Sequence, residues 1–138
     1  MQRVFAAMVG DLFHFGHVEF LRRARALGDH LTVGLVTDRR AASYKRPPIL
    51  TYEERKAVIS ACRYVNEVVP LDRNVTDDFM REGNYALRAY GAASEAENER
   101  YLATLLADMN PDHLRRIPYT DGISTSGIIE RIRARGDI

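Results

Sequence analysis

The most chemically suggestive feature of the sequence is a pair of histidines separated by two residues. His14 and His17 lie in the stretch GDLFHFGH (10–17), where an apolar run gives way to a helical pattern. A neutral imidazole donates one hydrogen bond and a protonated one donates two. Two histidines one helical turn apart can therefore bind successive oxygens of a polyphosphate, and Gly16 between them leaves room for its close approach.

Two other roles are open to the same residues. A histidine at a helix start often acts as a cap or lies on the surface, and paired histidines can bind zinc. The chain has two further histidines, His30 and His113, but both fall at predicted strand starts, on the opposite edge of a parallel sheet. They cannot complete a zinc site with His14 and His17, so we interpret them as structural and favour phosphate over zinc.

Alternating apolar and amphipathic segments must position the two histidines. Strands are predicted at residues 3–9, 30–38, 65–70, 86–90 and 113–117, and helices at residues 17–27, 52–64, 76–81, 95–108 and 123–135. The basic, proline-containing stretch 39–50 is predicted to be a mobile loop. This alternation indicates an α/β fold, in which a parallel sheet of about five strands has helices on both faces. We expect a single Rossmann-like domain spanning residues 1–138, with ligands bound at the carboxyl ends of the strands.

Composition excludes several classes of protein. The 138 residues are 46% apolar and 28% charged, with a formal net charge of +1, which is typical of a globular protein and not of a disordered or nucleic-acid-binding one. The apolar run from Val4 to Val9 is too short to cross a bilayer. With a single cysteine and no signal-peptide pattern, we expect a cytoplasmic protein with neither a nucleic-acid nor a membrane partner.

Several motifs together resemble the cytidylyltransferase branch of the H-x-G-H nucleotidyltransferases. HFGH matches the signature, and the segments YKRPPILTYEERKAVI, RYVNEVVP and GISTS are similar in order and spacing to those of glycerol-3-phosphate and ethanolamine-phosphate cytidylyltransferases. The resemblance implies transfer of CMP from CTP to a small phosphate-ester acceptor, with attack on the α-phosphorus and release of pyrophosphate. It also implies Mg²⁺ accompanying CTP, without a dedicated metal site, and a homodimer with RYVNEV at the subunit contact.

The resemblance also implies roles for individual residues. His14, His17 and Lys45 would be catalytic, the histidines stabilising developing charge and the lysine closing over the phosphates. Asp11 would order its turn or contact a metal. The implied nucleotide-binding residues are Val9, Gly10, Asp11, Gly16, Gly91, Tyr119, Gly122, Ile123, Ser124, Thr125 and Ser126. Arg63 and Arg116 are implied at the interface or at a phosphate.

Departures from the family pattern bear on specificity. Relatives carry an acidic residue that reads the cytosine amino group where this chain has Ala92 and Ala93, and they carry an arginine where it has Tyr119. Arg115 or Arg116 could replace that arginine. The changes fit a specialised acceptor such as a small phosphonate. An ATP-dependent adenylyltransferase and a non-catalytic nucleotide-binding module stay open as alternatives.

Overall fold

A five-stranded parallel sheet forms the frame of the computed structural model, which describes residues 1–44 and 46–138. The strands are β1 (Arg3–Met8), β2 (His30–Val36), β3 (Glu67–Leu71), β4 (Leu87–Ala92) and β5 (Leu114–Pro118). The helices are α1 (Phe15–Arg25), α2 (Asp38–Tyr44), α3 (Tyr52–Ser60), α4 (Asp77–Glu82), α5 (Glu95–Ala103) and α6 (Thr125–Ala134), with a 3₁₀ turn at Pro111–His113. The predicted α/β, Rossmann-like fold is confirmed.

The strand order places the functional edge of the sheet. The order is β3-β2-β1-β4-β5, so the chain leaves central strand β1 for β2 on one side and later returns to pair β4 on the other. Such a reversal of direction opens a crevice at the carboxyl ends of the two flanking strands. The turn that follows β1, which carries His14 and His17, lies at this crevice.

Each face of the sheet buries its own apolar cluster because successive side chains of a strand point to opposite faces. Val4 and Ala6 of β1 pack with Leu21 of α1 and Ile59 of α3. Phe5, between them in the sequence, belongs to the second cluster, with Met80 of α4, Leu106 and Leu114. Among the described residues, no helix has the length and apolar character needed to cross a membrane.

The prediction of a loop over residues 39–50 is wrong for its first half, which forms α2. Thr37 caps this helix, since its hydroxyl accepts the Arg40 N–H at 3.3 Å, and Ala41 is fully buried. The outward-facing arginines hid this short apolar contact from the sequence pattern. Helix α5 is also shorter than predicted, ending at Ala103, where the Thr104 hydroxyl donates to the Arg100 carbonyl at 2.7 Å.

One buried arginine connects four segments at the carboxyl edge of the sheet. Arg55 of α3 is 1% exposed, and its guanidinium donates to the backbone carbonyls of Val9 (2.6 Å), Val36 (2.9 Å) and Leu50 (3.2 Å). It also forms an ion pair with Asp38 at 2.6 Å. These four acceptors belong to the ends of β1 and β2, the start of α2 and the segment that leads into α3.

The carboxylate of Asp38 completes this network. Its partial burial alone would raise the pKa of Asp38, but the hydrogen bonds from Arg55 and from the Tyr52 N–H, together with the charge of Arg55, hold that pKa below its usual value. The charged form of the carboxylate is therefore favoured by the fold.

Replacing Arg55 is expected to be strongly destabilising. Arg55→Met leaves three buried or half-buried carbonyls without their donor and removes the partner of Asp38, which we expect to cost about 3–5 kcal/mol of the free energy of unfolding. Urea unfolding followed by circular dichroism measures this cost. Lys56→Met, at the neighbouring position of the same helix, is the matched control and should change stability by about 0.5 kcal/mol or less. Equal effects of the two variants would contradict the assigned role of Arg55.

Candidate active site

A cavity of about 890 Å³ lies at the carboxyl edge of the sheet, at the crevice beside β1. The structure brings most of the predicted site residues to its wall, from three separate segments of the chain. These are Val9, Gly10, Asp11, His14, Gly16, His17, Gly91, Tyr119, Ile123, Ser124, Thr125 and Ser126. The sequence therefore predicted which parts of the chain meet there, although more than a hundred residues separate the first from the last.

His14 and His17 form the N-terminal cap of α1. The Nδ1 atom of His14 accepts the Gly16 N–H at 3.0 Å, and the Nδ1 atom of His17 accepts the His14 N–H at 3.1 Å. This reciprocal arrangement is a capping box built from imidazoles. The two rings stack with centroids 3.9 Å apart, and Phe13 stacks on the far side of His17 at 5.4 Å.

The caps determine where each imidazole carries its proton. Because Nδ1 accepts a hydrogen bond in both rings, the proton of each neutral ring lies on Nε2. Burial lowers the pKa of His14, which favours this neutral form at physiological pH. The two histidines are thus held by the backbone as Nε2–H donors in the cavity wall.

Gly16 allows the His14 ring to fold back onto the helix start. A Cβ atom at position 16 would lie 2.9 Å from Cε1 of the His14 ring and 3.4 Å from Ile123. Any larger residue at this position would therefore displace the His14 ring, and the close approach of a phosphate at Gly16 stays a prediction.

Asp11 acts as a structural anchor of the turn. Its carboxylate is buried and accepts the N–H groups of Ile49 (2.8 Å) and Leu50 (3.0 Å). Its backbone carbonyl accepts the Thr125 hydroxyl at 2.9 Å. Asp11 thus joins the turn after β1 to the segment before α3 and to the start of α6, as one of the two roles weighed for it predicts.

The start of α6 supplies a second set of donors at the same cavity. Ser124 is its N-cap, and the Ser124 hydroxyl accepts the Gly127 N–H at 2.9 Å. Thr125 ties this helix to the turn of α1. Two helix N-termini, each with a partial positive charge, therefore meet at one cavity.

Tyr119 covers the end of β4. A Cβ atom at Gly91 would lie 2.4 Å from the Tyr119 ring, so only glycine leaves the ring this close to the strand. Partial burial, the neighbouring Tyr101 and the charge of Glu97 raise the pKa of Tyr119, which keeps its phenol protonated. The Glu97 carboxylate also accepts the Ala93 N–H at 3.4 Å.

Some predicted residues do not reach the cavity. Arg116 pairs with Glu95 and donates to the Ala92 carbonyl at 3.4 Å, and Arg115 donates to the backbone carbonyls of Asp112 and Leu114. Neither arginine lines the cavity, and substitution of one of them for the arginine that the resemblance implies at position 119 stays a prediction. Gly122, with a φ of +83°, precedes the lining residue Ile123 in the sequence. Arg63 contacts Tyr64 and does not line the cavity, and Lys45 lies outside the described residues.

Four arginines line the cavity that the sequence analysis did not single out. They are Arg40, Arg46, Arg73 and Arg88. Arg40 lies in α2, Arg46 between α2 and α3, and Arg73 just after β3, all in polar segments where basic residues are common. Arg88 was the one detectable case, because a charged residue stands in the apolar strand pattern ALRAY (86–90). Within the described part of the chain, no three His, Cys, Asp or Glu side chains cluster to hold a metal ion.

Comparison with known proteins identifies the family. The family model described as cytidylyltransferase-like matches residues 10–131, which include both helix starts and the strands between them. The chain belongs to this family.

Two curated cytidylyltransferases align with most of this chain, but the aligned region makes up very different shares of their own length. Glycerol-3-phosphate cytidylyltransferase of Bacillus subtilis (strain 168) is 39% identical over 134 residues, which are 96% of this chain and 98% of that protein. Ethanolamine-phosphate cytidylyltransferase of Mus musculus is 33% identical over 131 residues, covering 88% of this chain and 30% of that protein. The chain therefore spans less than a third of the mouse relative.

A solved structure agrees with the fold. The lipopolysaccharide core biosynthesis protein from Thermoplasma volcanium GSS1 superposes with a TM-score of 0.70 at 24% identity, covering 88% of this chain and 99% of that one. At this identity the likeness supports the Rossmann-like architecture of the family and carries no further conclusion.

His14 gives the protein a pH-dependent stability of known sign. Its pKa is lowered from 6.5 by burial, so just below pH 6.5 the unfolded chain binds a proton that the folded chain does not. The free energy of unfolding should therefore be unaffected by His14 above pH 6.5 and fall as the pH drops below it. Urea unfolding between about pH 8 and about pH 5 measures this dependence.

The matched control is His14→Asn, because asparagine keeps an N-cap acceptor and does not titrate. The difference in unfolding free energy between wild type and His14→Asn should be constant above pH 6.5 and change below it. Parallel curves across the whole range would show that the folded protein does not disfavour protonated His14.

Proposed function

We propose that the chain is a CTP-dependent cytidylyltransferase that transfers CMP to a small phosphate-ester or phosphonate acceptor and releases pyrophosphate. The observation that carries the proposal is the meeting of two helix N-termini, one capped by His14 and His17, at a single cavity. Membership in the family and 39% identity to a glycerol-3-phosphate cytidylyltransferase over nearly its whole length support it.

The proposed chemistry is an in-line displacement at the α-phosphorus. An oxygen of the acceptor attacks, a new P–O bond forms, and the bond to the bridging oxygen of pyrophosphate breaks. Negative charge grows on the α-phosphoryl oxygens and on the leaving group, so the protein must supply donors that are already in place. The Nε2–H groups of His14 and His17 fit this task, because backbone caps fix both rings before substrate binds.

Other residues would bind the rest of the nucleotide. Ser124 and the N-terminus of α6 would contact the β- and γ-phosphates. Lys45 would close over the phosphates, as the resemblance implies. Mg²⁺ would enter with CTP, because the described residues form no metal cluster and the Asp11 carboxylate already accepts two backbone N–H groups.

The proposal also includes a preference of the site for the cytosine base of CTP over the adenine base of ATP. Ala92 and Ala93 offer no carboxylate, but Glu97 lies against Ala93 and contacts Tyr119 at the end of β4. A carboxylate alone does not distinguish CTP from ATP, because cytosine and adenine both carry an amino group. The preference for CTP is instead supported by the family match and by the cytidylyltransferase relatives. An adenylyltransferase is the alternative that the following measurement separates.

The test is pyrophosphate release with CTP, ATP, GTP and UTP, each against a panel of phosphate esters and phosphonates. The panel includes glycerol 3-phosphate, ethanolamine phosphate and 2-aminoethylphosphonate. We expect turnover with CTP and at least one acceptor, and a CMP-acceptor product by mass spectrometry. Turnover with ATP alone would replace the proposal by the adenylyltransferase. Binding of nucleotide without pyrophosphate release would indicate a non-catalytic module.

His17→Ala tests in the same assay whether the histidine contributes to turnover. Loss of one positioned donor to developing charge should lower kcat by about 10²–10³-fold. Loss of its capping hydrogen bond should cost only about 1 kcal/mol of stability. His14→Ala should behave similarly, and the double variant should lose less than the product of the two effects, because both rings act on one phosphoryl group. Normal kcat with a much lower melting temperature would make the histidines purely structural.

We also propose that the chain forms a homodimer through the segment around Arg63. Arg63 stacks over Tyr64, with the Arg63 carbon Cζ 5.2 Å from the ring centre, just before edge strand β3. Arg63 is exposed there, where a second copy could contact it. A twofold interface is the commonest way for a small domain to bury more surface. Sedimentation equilibrium at micromolar protein should give twice the chain mass, and Arg63→Glu should shift it toward the monomer. A wild-type monomer would refute the dimer.

A further inference from the structure

Arg88 is the second residue of β4 and lies within an apolar surrounding. Its register partners are Phe5 of β1 and Leu114 of β5, both buried members of the cluster beneath α4 and α5. The residues before and after it, Leu87 and Ala89, are buried on the opposite face of the sheet. Arg88 therefore places a guanidinium where the strand pattern predicts an apolar side chain.

The guanidinium of Arg88 has little to bind within the described chain. Its Nη1 atom donates to the Met109 sulfur at 3.5 Å, a weak acceptor, and its Nε atom is buried without a partner. No described carboxylate lies within ion-pair distance of it. Burial lowers the pKa of Arg88 to about 10, so the side chain still carries its charge at neutral pH.

Arg88 is half-buried, and its Nε atom is fully buried. A cation taken out of water in this way without a counter-charge is costly unless a ligand supplies the missing partner. The Arg88 side chain lines the cavity, on the α4 and α5 face of the sheet, whereas His14, His17 and the start of α6 line the part above β1 and α1. The two sets of donors thus serve different regions of one cavity. A reaction between two phosphorylated substrates needs two such regions.

We propose that Arg88 binds the anionic group of the acceptor, a tetrahedral phosphate or phosphonate dianion, and presents it to the nucleotide held by the two helix starts. The assignment of that anion to an acceptor rests on the proposed function. A guanidinium can donate two parallel hydrogen bonds to such a group, which fixes its orientation as well as its place. Arg88 is thus a binding residue for the acceptor, and CTP does not need it.

The test compares Arg88→Met and Arg88→Lys with wild type and with Arg81→Met. Arg81 is an exposed arginine of α4 on the same side of the sheet, so its replacement controls for a lost surface charge. Thermal shifts with methylphosphonate and with inorganic phosphate, both without nucleotide, measure anion binding. Steady-state kinetics then give the KM for CTP and for the best acceptor of the panel.

We expect Arg88→Met to abolish the thermal shift by both anions and to raise the acceptor KM about ten- to a hundredfold, with the CTP KM unchanged. Its melting temperature without ligand should equal or exceed that of wild type, because an uncompensated buried charge is gone. Arg88→Lys should restore part of the anion binding, and Arg81→Met should behave as wild type. If wild type showed a thermal shift with methylphosphonate but none with phosphate, the result would still support the anion site and would assign it to phosphonates.

Three results would overturn the assignment. Unchanged anion shifts and acceptor KM in Arg88→Met would show that Arg88 does not bind the acceptor. A raised CTP KM would place Arg88 at the nucleotide instead. A lowered melting temperature with both constants normal would make it structural. Absence of turnover by wild type on every substrate pair would refute the proposed function, while an Arg88-dependent phosphate shift would still support the anion site.

Discussion

The functional edge of this protein depends on the hydrogen bonds of one buried guanidinium. Arg55 holds the carbonyl of Val9, directly before the turn that carries the two histidines, and the carbonyl of Leu50. The Leu50 N–H in turn donates to the Asp11 carboxylate, two residues after Val9. Arg55, Leu50 and Asp11 thus close a circuit around the turn. The turn contains Gly10 and Leu12 with positive φ values of 65° and 51°, and such a backbone persists only where its surroundings determine it.

In the proposed mechanism, capping and chemistry use different atoms of the same histidine ring. Each Nδ1 is occupied by a backbone N–H, which satisfies two of the donors that a helix start leaves unpaired. Because Nδ1 accepts this hydrogen bond, the proton of each neutral ring lies on Nε2, so the capping contact also determines which ring atom can donate. A cap that fixes the ring thus also prepares it as a donor. The structural and functional interpretations of His14 and His17 are therefore consequences of one arrangement.

Local patterns predicted most of the fold and of the site. Thr51 and Glu54 predict a capping box by their spacing, and their reciprocal hydrogen bonds are present at 3.2 and 2.9 Å. The helix start at Ser124 and the strand before Gly10 were predictable for the same reason. The Arg55 network was not, because its acceptors are backbone carbonyls 5 to 46 residues away in sequence, and carbonyls leave no trace in residue types. Helix α2 was missed because one buried alanine carries its packing.

Two arginines of this small domain, Arg55 fully buried and Arg88 half-buried, show how the same side chain can serve the fold or a ligand. Arg55 has three carbonyls and one carboxylate, so its charge is satisfied before any substrate binds. Arg88 has a thioether and an apolar surrounding, so its charge is not. Folding alone favours replacing a cation such as Arg88 by an apolar residue of similar volume. An arginine at this position therefore lowers the stability of the folded chain. Binding sites commonly carry such a cost where a ligand can supply the missing charge.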